Sequence, residues 1–238
     1  MSSTLFIMVE TPSSDTVASP THKTSPYRPA APEAFGMVAF DIETLGLDPC
    51  AHRITAACLY GAMDGPRPGQ QDIRDSSVPG PHVVRTFLFR GEDAATDLAL
   101  REEFMAHLDA ARSLCAFNGI RFDIPFIERA WDVPAARVEA WVLKTFDVYE
   151  ACKLGLSATF SLDRLLAANG LESKTGSGLH AVHLAKTGQW DALGDYCMQD
   201  TRLTYLVSSQ AAIALPLHTV REMRLFIDRT SPGLFVLW

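Results

Sequence analysis

Residues Phe35 to Phe40 form a short continuous apolar run, the pattern of a central strand covered on both faces. Two further runs, Arg53 to Tyr60 and Val83 to Arg90, read as strands, and the Pro/Gly-rich stretch from Asp64 to His82 between them reads as an overlong loop. No crossover helix fits in these gaps, so the three strands are expected to run as an antiparallel meander. From Ala94 to Arg112 the period lengthens: Leu100, Phe104, Leu108 and Ala111 recur at three- and four-residue steps on one helical face. A strand, Ser113 to Asn118, follows this helix, and the right-handed crossover makes it parallel to an earlier strand. A second helix, about Ile124 to Trp131, leads to a fifth strand near Lys144 to Val148. The rest reads as helical, with elements over Ser161 to Ala168, Gly178 to Lys186 and Trp190 to about Leu215. The pattern predicts an α/β fold, a mixed five-stranded sheet with three antiparallel and two parallel strands flanked by helices.

Composition narrows this picture without changing it. With 238 residues, 47% apolar and 21% charged, the chain has the mix of one full-sized globular domain and not of a collagen-like, coiled-coil or wholly disordered one. The organisation expected is a flexible Ser/Thr/Pro-rich leader over 1–34, a main domain over 35–215 and a C-terminal extension over 216–238. No apolar run approaches the ~20 residues that cross a bilayer, so no membrane partner is expected. The opening stretch Leu5 to Val9 is too short for a secretory segment. Five scattered cysteines without a CxxC pair signal neither a disulfide framework nor a zinc site, and a reducing intracellular compartment, cytoplasm or nucleus alike, is the simplest expectation. The net charge of −7 means that a polyanionic partner would need a local basic strip or bound cations.

Acidic residues at element ends carry the candidate chemistry. The first strand runs into Phe40-Asp41-Ile42-Glu43-Thr44-Leu45-Gly46, where Asp41 and Glu43 alternate onto one face. A parallel neighbour ends in Phe117-Asn118-Gly119-Ile120-Arg121-Phe122-Asp123, so Asp123 opens into the same crevice unless it merely caps the following helix. On the long helix Tyr196 and Asp200 share a face, four residues apart. Two carboxylates held ~4 Å apart repel by about 4 kcal/mol at an effective dielectric of 20, so a cluster of them calls for cations. Oxygen ligands alone favour hard ions, Mg²⁺ or Mn²⁺, and two such ions suit phosphoryl chemistry. His180 and His183 lack a third soft ligand and read as structural or solvated. Asp147 reads as an N-cap for a helix over Val148 to Leu154.

The segments FDIETLG at 40–46, FNGIRFDIPFI at 117–127 and YCMQD at 196–200 resemble, in order, the three motifs of DEDDy-class 3′→5′ exonucleases of the ribonuclease H-like superfamily. They are most similar to the proofreading domain of family B DNA polymerases and its stand-alone relatives, which the stretch Lys174 to His180 also resembles. The resemblance implies that Asp41, Glu43 and Asp200 hold one divalent cation, that Asp41 and Asp123 hold a second, and that Tyr196 positions the attacking water. It further implies that Thr44 and Leu45 meet the terminal nucleotide, that Asn118 and Phe122 line the single-strand path, and that Lys174 touches a backbone phosphate. For Leu45 and Phe122 core packing is the competing reading, and for Lys174 simple solvation.

The activity expected from this resemblance is removal of nucleoside 5′-monophosphates from the 3′ end of single-stranded nucleic acid, DNA favoured over RNA. The alternatives are an RNA-trimming enzyme with the same carboxylates, and a non-catalytic module that binds 3′ ends or a replication or repair protein. Only a path that tests the 2′-hydroxyl separates the two nuclease readings.

Overall fold

The computed structural model describes residues 6–7, 36–62, 82–156, 159–174, 176, 178–210, 212–216, 224–227 and 235–237. In chain order the strands and helices are β1 (Phe6–Ile7), β2 (Met37–Thr44), β3 (Ile54–Ala62), β4 (His82–Leu88), α1 (Ala94–Ala110), β5 (Ser113–Ala116), α2 (Asp123–Trp131), α3 (Ala135–Leu143), β6 (Thr145–Asp147), α4 (Val148–Leu156), α5 (Leu162–Ala168), α6 (Gly178–Lys186), α7 (Trp190–Ser208), β7 (Ala212–Ala214), β8 (Arg224–Ile227) and β9 (Phe235–Leu237).

The central sheet has the order β4-β3-β2-β5-β6. The β2–β3 and β3–β4 pairs are antiparallel, while β5 joins β2 and β6 joins β5 in parallel, as the sequence pattern predicts. Strand β2 is buried on both faces, which is why its apolar run is continuous. Val38, Phe40 and Ile42 pack with Phe87, Phe104, Leu108, Ile124 and Trp141 on one side, and Met37 and Ala39 pack with Tyr60 and Tyr205 on the other. Helices α1, α2 and α3 contribute to the first core, and α7 crosses β2 and β3 on the second face. Gly194 eases the close approach of α7, since a Cβ there would lie a tight 3.1 Å from Thr86 Cγ2 of β4.

Two elements differ from the sequence reading. Helix α3 was not anticipated, although Val138, Trp141 and Val142 recur at helical steps and Trp141 is fully buried. The long helix ends at Ser208 instead of near Leu215, and Ala212–Ala214 is a strand. That strand pairs with β8, which pairs with β9 and through it with β1, giving a second sheet of order β1-β9-β8-β7. Ile213 is buried beside Val148, Leu162 and Leu203, so tertiary packing claims this apolar stretch for a strand. The expected loop from Asp64 lies outside the described residues up to its last member, as do the expected leader apart from β1 and the extension apart from Pro216, β8 and β9. No described helix is long and apolar enough to cross a membrane, and no disulfide joins any of the five cysteines among the described residues.

Candidate active site

Alternation along β2 sends Val38, Phe40 and Ile42 toward α1–α3 and therefore turns Asp41 and Glu43 toward α7. Asp41 lies opposite Cys58 and Glu43 opposite Ala56, after which the register slips and Thr44 lies opposite Ile54. The residue left over on β3 is Thr55, whose buried hydroxyl donates to the Glu43 carbonyl at 3.1 Å. Such an irregularity re-aims the strand end next to the two acids. Beyond it, Thr44 Oγ1 donates to the Gly46 carbonyl at 2.7 Å and the Leu45 N–H to the Arg53 carbonyl at 3.1 Å. Leu45 packs against the buried cluster that contains Tyr196, so the structure supports a packing role for its side chain.

Asp123 reaches the same place from β5. The turn after this strand holds Asn118 in the left-handed region at φ 68°, which Asn tolerates better than most residues. Gly119 follows, where a Cβ would come within 2.5 Å of Ala116 Cβ. Asp147 fixes the turn: its carboxylate accepts from the N–H groups of Asn118 and Ile120, both at 2.9 Å, and from those of Tyr149 and Glu150 at 3.0 and 3.3 Å. It is thus the expected cap of α4 and also a clamp on the motif that carries Asp123. Asp123 itself is no cap. It is the first residue of α2, and its Oδ1 accepts the Ile42 N–H at 3.0 Å, beyond Ala39, the last β2 residue that pairs with β5. Phe122 is half-buried, with its ring 5.6 Å from that of Phe126 and packed on the core.

The third segment comes from α7, whose one-turn spacing brings Tyr196 and Asp200 to the sheet, both buried. Lys174 is not simply solvated. Its Nζ donates to Asp200 Oδ2 at 2.9 Å and to the Tyr196 hydroxyl at 3.3 Å. His180 is exposed yet stacks edge-on against Tyr196 at 5.9 Å, while His183 is exposed on α6. Between Tyr196 and Asp200 on α7, Cys197 places its Sγ 3.8 Å from Asp41 Oδ2, and Asp41, Glu43 and Cys197 offer ligand atoms within 4.8 Å of one another.

Burial and mutual repulsion shape the protonation of this cluster. Asp41 is pushed well above the usual carboxylate range, first by desolvation and then by Asp123, Glu43 and Asp200. Desolvation, Asp200 and Asp123 raise Glu43 to about 8, with the Lys174 ammonium pulling it back. Asp123 rises to about 7 through desolvation, and the Ile42 N–H opposes the shift. Desolvation and the neighbouring Asp200 and Glu43 also raise the Tyr196 phenol, which is therefore neutral across the physiological range. Asp200 Oδ1 is buried and has no hydrogen-bond partner among the described residues. An orphaned carboxylate oxygen amid other carboxylates fits a hard divalent cation, so the donor set is chemically suited to Mg²⁺ or Mn²⁺.

Asp41, Glu43, Asp123, Tyr196 and Asp200 thus converge from three separate segments, and Lys174 joins them from a fourth, the connection between α5 and α6. Thr44 and Leu45 flank them on the β2 side, and Asn118 and Phe122 on the α2 side. The sequence reading missed the second task of Asp147 and the position of Cys197. The latter was detectable only as the neighbour of Tyr196 on a helix face already assigned to the site.

A family model described as the RNase H superfamily matches residues 38–211. No curated protein matches the chain. Among solved structures the chain is similar to the family B DNA polymerase of the hyperthermophilic archaeon Pyrobaculum calidifontis, with a TM-score of 0.50 and 15% identity over 71% of this chain and 23% of that one. The zinc-bound form of the E. coli ExoI–single-stranded DNA complex gives a TM-score of 0.39 and 15% identity over 67% of this chain and 42% of that one. The chain therefore spans less than a quarter of the polymerase it resembles in fold.

Proposed function

Because the chain belongs to the RNase H superfamily and gathers four carboxylates beside a neutral phenol, we propose that it is a DEDDy-type 3′→5′ exonuclease acting on single-stranded nucleic acid, DNA in preference to RNA. The observation that carries this reading is the meeting of Asp41 and Glu43 from β2, Asp123 from α2, and Tyr196 and Asp200 from α7. The similarity to a polymerase fold adds support at the level of architecture.

Asp41, Glu43 and Asp200 would hold one divalent ion, and Asp41 with Asp123 a second. Such ions, when bound, supply Lewis-acid charge to the phosphate and to a water at neutral pH. The remaining work falls to the chain itself. Tyr196 keeps its proton, so it orients the attacking water by hydrogen bonding and does not act as a strong base. Thr44 and Leu45 border the site where the terminal nucleotide would sit. Asn118 and Phe122 flank the adjoining path, with Phe122 already committed in part to packing on Phe126. The products are nucleoside 5′-monophosphates. A replication or repair protein is the protein partner this reading favours.

The test is a 5′-labelled single strand, DNA and RNA in parallel, incubated with Mg²⁺, Mn²⁺ or chelator and with the parent protein or Asp200→Ala. A metal-dependent ladder receding from the 3′ end with the parent alone supports the assignment. Intact strands under every metal condition overturn it.

A further inference from the structure

One cation already sits inside the acidic cluster. Lys174 lies between α5 and α6, and its backbone N–H is anchored by Asp163 Oδ1 at 3.0 Å, so the main chain is held while the four-carbon side chain retains its freedom. Its side chain is 20% exposed, and the Nζ ties Asp200 Oδ2 to the Tyr196 hydroxyl and lies 5.7 Å from the Tyr196 ring centroid. The ammonium covers one oxygen of Asp200, and the buried Oδ1 has no hydrogen-bond partner among the described residues. A divalent ion drawn to Asp200 would meet this ammonium at close range, where like charges repel strongly in a partly desolvated site.

We propose that Lys174 is a resident counter-ion: it holds Asp200 and Tyr196 while the metal is absent, leaves Asp200 when a divalent cation binds, and then serves the phosphate of the incoming strand. Metal loading and strand binding are thereby coupled through one side chain, which has a carboxylate-bound and a phosphate-bound position. Linkage makes the coupling reciprocal, so the strand tightens the metal by the same factor as the metal tightens the strand. This inference rests on the metal-binding reading of the site.

The experiment is a calorimetric Mn²⁺ titration of the full chain without substrate, comparing the parent, Lys174→Met, Lys174→Arg and Asp200→Ala. Removing the competing charge should tighten Mn²⁺ binding about tenfold in Lys174→Met, while Lys174→Arg stays near the parent. In a second arm, fluorescence anisotropy follows a phosphorothioate-ended single strand with and without Mn²⁺. The metal-dependent gain in affinity seen with the parent should shrink about tenfold in Lys174→Met. If Lys174→Met melts early, Lys174→Gln replaces it in both arms. Asp200-dependent Mn²⁺ binding that Lys174→Met leaves unchanged or weakens overturns the counter-ion role alone. Equal Mn²⁺ binding by parent and Asp200→Ala, or none by any variant, overturns the metal reading and this inference with it.

Discussion

At the residue scale, the raised phenol of Tyr196 and the raised carboxyls of Asp41, Glu43 and Asp123 assign different work to groups that share one cluster. Tyr196→Phe keeps the ring against His180 but removes the hydroxyl. Turnover should fall by up to about 10²-fold with Mn²⁺ affinity unchanged, read by single-turnover kinetics beside a metal titration. Loss of metal binding in the same variant would place Tyr196 in the metal shell and end the orienting role. Asp200→Asn is nearly isosteric and removes one charge, and should cost about 10³-fold or more in turnover. With Glu43 near 8 and Asp123 near 7, the metal-free site carries protons at neutral pH. A bound cation favours the charged carboxylates, so metal binding should release protons and strengthen between about pH 6 and 9. Calorimetry in two buffers of different ionisation enthalpy measures that release, and identical heats in both would refute it.

At the element scale, the segment from Phe117 to Asp123 depends on contacts that a sequence pattern does not encode. Asp147 satisfies four backbone N–H groups there and on α4, so Asp147→Ala should cost about 3 kcal/mol or more and depress turnover through Asp123. Gly119→Ala should cost about 1–3 kcal/mol, because its Cβ would meet Ala116 at 2.5 Å. Urea denaturation reads both, and stabilities equal to the parent would remove the clamp from the account. The sheet was legible because β2, β3 and β5 bury nearly continuous apolar runs that local composition displays, and β4 follows β3 with no room for a crossover helix. Helix α3 was harder to see: nine residues behind Pro134, most of them apolar, span too few turns to display a period. The end of α7 was misread for a related reason, since Ala211 to Leu215 is apolar without a period, and the neighbours that settle it as a strand lie far away in sequence. For the site, alternation and helical spacing were enough to pair Asp41 with Glu43 and Tyr196 with Asp200. The ion pair of Lys174 with Asp200 and the bond from Ile42 to Asp123 arise only from the packed fold.

At the scale of the whole molecule, the cluster sets function against stability. A carboxyl whose folded pKa lies above its unfolded value binds more protons in the native state between the two pKa values, so stability falls as pH rises through that window. Glu43, raised from 4.5 to about 8, and Asp123, raised from 3.8 to about 7, place the window between mildly acidic and mildly alkaline pH. Asp93 and Asp109 are shifted downward, are already charged at the acid end of this range, and do not offset the trend. In chelator the parent should therefore melt at a higher temperature near pH 5 than near pH 8.5, and Mn²⁺ should raise the alkaline value most. Glu43→Gln removes one buried charge and lessens the repulsion on Asp41 and Asp123. It should raise the melting temperature of the chelated protein at the alkaline end, change it little at the acid end, and abolish turnover. Those opposed effects are what distinguish a site held for catalysis from one held for the fold. Scanning calorimetry across the pH series decides the matter: if the chelated parent grows more stable toward pH 8.5, these carboxyls do not carry the repulsion that a bound cation would relieve.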